Sequence, residues 1–220
     1  MPLDRVFWYV PNIIGYVRVG CYLACFISHS LGNWQLCISL YAIAFILDEF
    51  DGRAARAYNQ SSNFGAALDM TTDRCATAGL CLILAQLYPN YLLAFIGAIA
   101  LDVSSHYYLV YATGILGQNN HKDAAQWSDN GLIKLYYGNK TFMDSTILGN
   151  EVFYILLYLN FYLAESTFVF TIYGIDLIQL LIIIFLPIYL IKQVINVSQL
   201  KMAAQQIATV DLADSKRKEP

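Results

Sequence analysis

The feature that most constrains the fold of this 220-residue chain is a series of six apolar segments. Each is long enough to cross the hydrocarbon core of a bilayer as a helix, which takes about 20 residues. The segments cover about residues 13–30, 34–56, 65–87, 91–115, 146–163 and 175–195. Only 13% of the residues are charged, whereas a soluble domain carries about 25%. The sequence therefore predicts an all-α, polytopic membrane protein with six transmembrane helices.

The two ends of the chain differ from these segments. Residues 1–11 contain three neighbouring aromatic side chains and predict a short N-terminal interfacial helix. Residues 201–220 are polar and predict a cytosolic tail, so we assign residues 1–200 to a single membrane domain. Within the last apolar segment, Pro187 predicts a kink.

Charge and cysteine content narrow the range of functions. The net charge is −3 and no basic patch is visible, which argues against nucleic acid as a partner. Each of the five cysteines lies in an apolar run without metal-ligand context, and we interpret them as packing residues. They are Cys21, Cys25, Cys37, Cys75 and Cys81.

The positions of the basic residues predict the orientation of the helices. If both termini are cytosolic, the non-cytosolic connections are about residues 29–33, 88–90 and 164–174, and none of them contains Lys or Arg. Membrane proteins concentrate Lys and Arg in their cytosolic loops. We therefore expect cytosolic termini, with four aspartates at the cytosolic ends of the second and third spans. These are Asp48, Asp51, Asp69 and Asp73.

The four aspartates fall into two pairs with helical spacing. Asp48 and Asp51 are three residues apart, and Asp69 and Asp73 are four apart, so each pair lies on one helix face. The two helices are joined by a short connection, so the pairs converge. Clustered carboxylates cannot all stay ionised without a cation, and oxygen-only ligands select a hard divalent ion, Mg²⁺ or Mn²⁺. The pattern predicts two such ions, an arrangement that clamps a transferring phosphoryl group.

Small residues and an arginine lie between the acids. Gly65 fits two interpretations, close packing of membrane helices or room for a flat ligand against the backbone. Gly52 directly follows Asp51, and there we favour access for a ligand. Arg56 lies about one turn beyond Asp51, where its guanidinium can reach a phosphate. The alternative for Arg56 is an arginine whose head extends to the membrane interface.

Together these residues spell D-x-x-D-G-x-x-A-R, eight further residues, and G-x-x-x-D-x-x-x-D. The fixed positions are Asp48, Asp51, Gly52, Ala55, Arg56, Gly65, Asp69 and Asp73. This pattern resembles the signature of the CDP-alcohol phosphotransferase family at every fixed position, and the six-span plan also fits that family. The resemblance implies an enzyme that binds a CDP-linked lipid or alcohol through two divalent metals at the cytosolic side of the membrane.

The resemblance also implies roles for individual residues. The four aspartates would hold the metals, and Asp73 would in addition be the general base for the acceptor hydroxyl. Gly52 and Arg56 would contact the CDP group, with Ser62 as a further polar contact. One departure from the pattern is Glu49, where a small residue is expected, and the sequence offers no account of its role.

Further segments resemble the eukaryotic phosphatidylinositol synthases, a group within this family. They are residues 11–18 (PNIIGYVR), 55–74 (ARAYNQSSNFGAALDMTTDR), 101–107 (LDVSSHY), 121–122 (HK) and 150–154 (NEVFY). This resemblance implies transfer of phosphatidyl from CDP-diacylglycerol to myo-inositol, with release of CMP. It also implies residence in the endoplasmic reticulum membrane and assembly as a homodimer.

A polyol acceptor needs polar groups inside the membrane domain. The candidates are Asp102, Ser105, His106, Arg18 and Glu151, together with Asn12 and Asn150. Asp102 and His106 have i, i+4 spacing, so the alternative for this pair is a structural network that satisfies itself.

Two alternatives to inositol transfer stay open. The nearer one is the same chemistry with glycerol-3-phosphate, serine or an inositol phosphate as the acceptor. A phosphorylated acceptor requires extra Arg or Lys in its pocket, and the predicted spans hold few basic residues. The more distant alternative is a divalent-cation transporter, which predicts acidic residues near the bilayer midplane rather than at one interface.

Overall fold

The chain is helical over nearly all the residues that its computed structural model describes, which are 4–117, 129–163, 171–172 and 175–218. In these ranges the α-helices are α1 (Asp4–Phe7), α2 (Val10–Ser30), α3 (Trp34–Ala57), α4 (Asn63–Leu87), α5 (Leu92–Ile115), α6 (Gly131–Gly138), α7 (Lys140–Leu163) and α8 (Leu177–Lys218). A 3₁₀ turn (Pro89–Tyr91) precedes α5. Two short strands, β1 (Thr171–Ile172) and β2 (Ile175–Asp176), pair antiparallel before α8. The all-α prediction is confirmed except for this strand pair.

Six helices coincide with the predicted apolar segments, and among the described residues four segments have the length and composition of membrane spans. These four are Val10–Ser30, Pro89–Ile115, Lys140–Leu163 and Leu177–Ser215. Helices α3 and α4 are as long, with 24 and 25 residues. They carry the acidic pairs, however, and α3 also carries Glu49 and two arginines. That α3 and α4 cross the membrane stays a prediction.

The N-terminal helix is shorter than the sequence predicts. Helix α1 covers only Asp4–Phe7, residues 1–3 lie outside the described ranges, and α2 already begins at Val10. Pro11 explains the early start of α2. Proline suits the first turn of a helix because its φ is helical and its missing N–H would have no partner there. A position of α1 at the membrane interface stays a prediction.

Helix α8 extends well beyond the apolar segment that predicts it. It has 42 residues, which corresponds to about 63 Å, or about twice the thickness of the hydrocarbon core. The predicted polar tail is therefore helical through Lys218, and the side chains of residues 211–215 are exposed. Pro187 lies inside α8, and a kink there stays a prediction. Residues 121–122 and most of the predicted connection 164–174 lie outside the described ranges.

Two tight connections determine how the acid-bearing helices begin. Between α2 and α3, Gly32 adopts a φ of 79°, and the Asn33 side chain caps α3 by accepting a backbone N–H at 3.1 Å. Between α3 and α4, Asn59 has a φ of 53°, a conformation that asparagine tolerates better than most residues. Ser62 Oγ then accepts the N–H of Gly65 at 3.0 Å. Both connections reverse the chain with few residues.

By its internal contacts the chain divides into two compact units, Met1–Leu80 and Cys81–Pro220. In the first unit, α2 and α3 form an antiparallel hairpin whose buried residues come from both helices. Tyr22 and Tyr41 meet at its centre, with ring centroids 5.1 Å apart in an edge-to-face arrangement. This hairpin is the support for the acidic residues of α3.

In the second unit, α5 and α7 both pack against α8. One core cluster joins α5, α6 and α8 through Leu109, Ile133, Tyr136, Ile195 and Met202. Between α7 and α8, the rings of Phe153 and Tyr189 stack with their centroids 4.5 Å apart. The apolar residues of α8 therefore pack against two different helices.

Candidate active site

The structure brings the aspartates of α3 and α4 together. Carboxylate oxygens of Asp48, Asp51 and Asp69 all lie within 4.8 Å of one another, close enough to hold one metal ion. Asp51 is buried, and Asp48, Asp69 and Asp73 are half-buried. Each pair shares a helix face, because residues three or four apart on a helix are neighbours.

Arg18 on α2 lies at the centre of this cluster, and its side chain is 0% exposed. Its Nη1 donates to Asp51 Oδ2 at 2.6 Å and to Asp69 Oδ1 at 2.7 Å. Its Nη2 contacts Asp48 Oδ1 and Asp73 Oδ1, each at 2.5 Å. Each terminal nitrogen thus joins one aspartate of α3 to one of α4. The guanidinium is therefore the counter-ion that makes this acidic cluster possible.

The donor set of the cluster fits a hard divalent cation. It offers only carboxylate oxygens, the ligands that Mg²⁺ and Mn²⁺ prefer. The cluster already accepts one cationic group, the guanidinium of Arg18. Arg74 Nη2 also lies 3.6 Å from Asp73 Oδ2. Two positive charges cannot neutralise four carboxylates, so negative charge is left to attract further cations. The residues present therefore suit the divalent metals that the sequence predicts.

A cavity of about 180 Å³ opens beside the cluster. Asp51 and Asp69 form one side of it, and the residues opposite include Asn12, Ser62 and Gly65. Since both aspartates belong to the acidic cluster, a ligand in this cavity would lie directly against the carboxylates. The cavity is built entirely within the first unit, from α2, α3, α4 and the connection between α3 and α4.

Asn12 forms an unusual part of the cavity wall. It is 1% exposed, and its Nδ2 donates to the carbonyl oxygen of Val6 at 2.6 Å. Its Oδ1 has no hydrogen-bond partner among the described residues. Buried polar atoms are nearly always paired, so this oxygen is suited to accept a hydrogen bond from a bound ligand. The sequence places Asn12 among the polyol candidates, whereas the structure places it in the cavity beside Ser62 and Gly65.

The two glycines of the motif differ in what surrounds them. A Cβ on Gly65 would lie 2.7 Å from Asn12 Oδ1 and 3.1 Å from Ser62 Oγ, so a side chain there would displace the cavity wall. A Cβ on Gly52 would meet only the Arg56 guanidinium, at 3.6 Å, which is an ordinary contact. Gly65 is thus required by close approach, whereas Gly52 forms an open part of the cavity. Arg56 itself is exposed at the edge beside Gly52.

Glu49 has a structural explanation that the sequence does not supply. Arg53 Nε donates to Glu49 Oε1 at 2.8 Å, one helical turn away on α3. Both side chains are more than half exposed, at 58% and 65%. Such a surface pair contributes little to stability. The Glu49 carboxylate is paired with Arg53 and is not one of the four carboxylates that contact Arg18.

The polyol candidates of α5 form a local network. Ser105 Oγ donates to the carbonyl oxygen of Asp102 at 3.0 Å, and His106 Nδ1 lies 2.8 Å from the same oxygen. His106 Nδ1 is also 3.6 Å from Asp102 Oδ1. Ser105 and His106 thus find hydrogen-bond partners within α5, as the structural alternative for the i, i+4 pair expects. The carboxylate of Asp102 can still contact other groups.

A stripe of buried and half-buried polar residues on α8, in the second unit, is a feature that sequence reasoning missed. It consists of Lys192, Gln193, Asn196 and Gln199. Lys192 Nζ donates to Asn196 Oδ1 at 2.6 Å, and Asn196 Nδ2 donates to Asp102 Oδ1 at 3.5 Å. The signal in the sequence was the i, i+1, i+4 and i+7 spacing of these polar residues at the end of an apolar run.

Two contacts extend this stripe to α7 and α6. Gln193 Nε2 donates to Asn150 Oδ1 at 3.1 Å, and Asn150 Nδ2 lies 3.4 Å from Glu151 Oε1. Gln199 Nε2 donates to the hydroxyl of Tyr137 at 2.6 Å. Burial raises the pKa of Tyr137 to about 12, so the phenol stays neutral. Five polar residues of the second unit are thus linked around α8.

Comparison with known proteins indicates the same family as the aspartate motif. The family model for CDP-alcohol phosphatidyltransferase matches residues 8–211. The CDP-diacylglycerol–inositol 3-phosphatidyltransferase of Rattus norvegicus is 38% identical over 218 residues, covering 99% of this chain and 100% of the rat protein. The enzyme of the same name from Candida albicans is 36% identical, covering 99% of this chain and 89% of its own.

A plant protein gives the same result. The probable CDP-diacylglycerol–inositol 3-phosphatidyltransferase 2 of Arabidopsis thaliana is 39% identical, covering 97% of this chain and 95% of the plant protein. No solved structure matches this chain significantly. The family match covers both units and includes every residue of the acidic cluster. The chain therefore belongs to the CDP-alcohol phosphatidyltransferase family.

Proposed function

We propose that this protein makes phosphatidylinositol by transferring phosphatidyl from CDP-diacylglycerol to myo-inositol, with release of CMP. The observation that carries the proposal is the set of aspartates gathered around Arg18 within the family motif. Relatives named for this reaction match the chain over nearly its full length, in an animal, a fungus and a plant. Both observations support the same chemistry.

The CDP group binds in the cavity beside the cluster. Its diphosphate would lie toward Asp51 and Asp69, and cations held by the aspartates would neutralise its charge. Gly52 leaves the backbone of α3 accessible, and Arg56 at the edge supplies a guanidinium to a phosphate. Ser62 and the unpaired Oδ1 of Asn12 give hydrogen-bonding groups for the nucleoside. The diacylglycerol chains stay in the lipid bilayer.

Asp48, Asp51, Asp69 and Asp73 would hold two divalent ions, Mg²⁺ or Mn²⁺. These ions would stabilise the negative charge that develops on the phosphoryl group and on departing CMP. The residues themselves fix the carboxylates in position, since Arg18 joins the two pairs from a third helix. This preorganisation lowers the barrier because the charges need no rearrangement during the reaction.

Asp73 acts as the base. It accepts the proton of an inositol hydroxyl, whose oxygen attacks the phosphorus that carries diacylglycerol. The bond from that phosphorus to the oxygen of the cytidine-side phosphate breaks, and CMP leaves. The contact with Arg18 holds the Asp73 carboxylate in position. A carboxylate is a weak base for an alcohol, so positioning supplies most of the rate enhancement.

The acceptor is a neutral polyol. In the second unit, Asp102, Glu151 and Asn196 offer hydrogen-bond acceptors and donors, and all three are at least half-buried. Ser105 and His106 contribute through the network on α5. Arg18, the remaining candidate, has its guanidinium engaged by the aspartates. Carboxylates repel a phosphate, so this set favours inositol over glycerol-3-phosphate or an inositol phosphate.

The absence of Lys and Arg from residues 29–33 and 88–90 supports an orientation with the aspartates and both termini on the cytosolic side. We assign the protein to the endoplasmic reticulum membrane, as a homodimer. These assignments follow the family resemblance and the distribution of basic residues.

The test uses the purified full-length protein in vesicles that contain CDP-diacylglycerol. Labelled myo-inositol and Mn²⁺ or Mg²⁺ are added, and CMP and labelled lipid are measured together. We expect equal amounts of both products. Serine and glycerol-3-phosphate in place of inositol serve as controls. CMP release that depends on either of those acceptors, and not on inositol, would overturn the acceptor assignment.

A further inference from the structure

Two cysteines of the first unit lie in direct contact. Cys25 on α2 and Cys37 on α3 have their sulfurs 3.1 Å apart, and the residues are 0% and 1% exposed. They flank the turn between the two helices. Cys25 lies six residues before Leu31 and Cys37 four residues after Asn33, which places them about 9 Å and 6 Å along their helices from the turn.

We propose that Cys25 and Cys37 form a disulfide bond that joins α2 to α3. A disulfide is about 2.05 Å long, so the sulfurs have to approach by about 1 Å from their positions in the structure. The structure has both as free thiols that already touch across the two helices. The other three cysteines, Cys21, Cys75 and Cys81, stay as thiols.

The position of the pair suits this chemistry, given the orientation proposed above. The turn at residues 31–33 then faces the lumen, while the aspartates face the cytosol. Disulfides form and persist in the lumen of the endoplasmic reticulum and are rare in the cytosol. The pair lies within two helical turns of the luminal end of the hairpin, on the side where an oxidant is present.

The oxidant is a disulfide-bearing oxidoreductase of the lumen. One cysteine loses its proton and attacks the donor disulfide, which gives a mixed disulfide. The second thiolate displaces the donor, so two protons and two electrons leave the pair and the donor departs as a dithiol. Both sulfurs are buried in the finished hairpin. The exchange therefore takes place while α2 and α3 assemble, and the completed bond is shielded from reductants.

The bond would fix the hairpin that supports the acidic cluster. Arg18 lies seven residues before Cys25 on α2, and Asp48 lies eleven residues after Cys37 on α3. A covalent link near the turn restricts sliding of α2 against α3. It also closes a loop across a separation of 12 residues, which reduces the freedom of the unfolded chain.

The test counts thiols in the full-length protein taken directly from eukaryotic membranes. The membranes are quenched with acid, and the protein is denatured without reductant and alkylated with a first maleimide. It is then reduced and alkylated with a second maleimide of different mass. We expect three first labels, and second labels on Cys25 and Cys37 only. Five first labels, or second labels on any other cysteine, would overturn the proposal.

Single substitutions provide the controls. In Cys25→Ser, the thiol of Cys37 should take the first label, whereas Cys75→Ser should leave the second labels on Cys25 and Cys37. Thermal unfolding without reductant should show Cys25→Ser melting several degrees below Cys75→Ser. An equal melting temperature would contradict a stabilising bond. Because catalysis plays no part in these measurements, their failure leaves the proposed reaction untouched.

Discussion

Arg18 Nη2 lies 2.5 Å from Asp73 Oδ1, so the proposed base of α4 is held by a fully buried guanidinium of α2. The same nitrogen contacts Asp48 of α3. Three helices therefore meet at one nitrogen atom, and a change in any of them alters the position of the base. If Asp73 is the base, as proposed, this arrangement would separate two tasks within the cluster, proton transfer by Asp73 and its positioning by Arg18.

Replacing Asp73 by asparagine should remove the base while keeping the shape of the side chain. We expect kcat to fall by about 10³-fold, within the range for general-base catalysis. The measurement is CMP release in vesicles, with binding of CDP-diacylglycerol followed in parallel. Asp144→Asn is the matched control, because Asp144 is an exposed carboxylate paired with Lys140 on α7. Full activity of Asp73→Asn would remove Asp73 from the mechanism.

Replacing Arg18 by glutamine should destabilise the metal-free protein. The four carboxylates would lose their counter-ion, and breaking a buried charge cluster costs about 3 kcal/mol or more. Added Mn²⁺ should then raise the melting temperature of the variant by more than it raises that of the wild type. Arg53→Gln is the control, because its exposed pair with Glu49 contributes little. Equal melting temperatures of both variants in a chelator would contradict the role of Arg18.

Metal removal should abolish activity reversibly. We expect a chelator to stop CMP release, and Mn²⁺ or Mg²⁺ to restore it, because the cluster supplies only hard oxygen ligands. Bound Mn²⁺, counted by electron paramagnetic resonance, should fall from two ions per chain in the wild type to one or none in Asp69→Asn. Turnover that is insensitive to chelation would exclude the two-metal site.

Replacing Gly65 by alanine should impair nucleotide binding selectively. The added Cβ would meet Asn12 Oδ1 at 2.7 Å and Ser62 Oγ at 3.1 Å, and would push both away from the cavity. We expect the KM for CDP-diacylglycerol to rise about tenfold or more, a loss of about 1.4 kcal/mol or more, with the KM for inositol unchanged. Gly97→Ala is the control, since nothing lies within 4 Å of its Cβ position. A larger change in the KM for inositol would point to a different ligand in this cavity.

Replacing Lys192 by methionine should affect the acceptor. Lys192 is 4% exposed, and its Nζ donates to the amide oxygen of Asn196. The amide nitrogen of Asn196 in turn donates to Asp102. We expect the KM for inositol to rise and the KM for CDP-diacylglycerol to stay constant. Lys201→Met provides a control on the exposed part of α8. If neither KM changes in Lys192→Met, the polar stripe is structural.

The part of the site that could be predicted from the sequence depends on local spacing. The offsets of Asp48–Asp51 and Asp69–Asp73 determine a shared face on any helix, so their pairing needed no tertiary information. The position of Arg18 could not be predicted in the same way. It depends on the rotation of α2 about its axis, and the apolar positions of a membrane helix constrain that rotation weakly because lipid and core are equally apolar.

The fold, too, was predictable only in part. The lengths of the apolar segments predicted the approximate positions of the helices. They did not predict where α2 begins or where α8 ends, because hydropathy carries no information on helix caps or on helices in water. The polar stripe from Lys192 to Gln199 was overlooked because it lies where the apolar segment of α8 ends. Apolar length alone gives these residues no role, whereas in the structure they contact α5, α6 and α7.

The counter-ion at the centre of the cluster has a consequence for the biosynthesis of the protein. Four acidic residues have to be accommodated when α3 and α4 assemble with α2. Because Arg18 travels in the first long helix, it is in place when the two acid-bearing helices arrive. Because one side chain contacts all four aspartates, packing of the three helices would not have to wait for a metal ion.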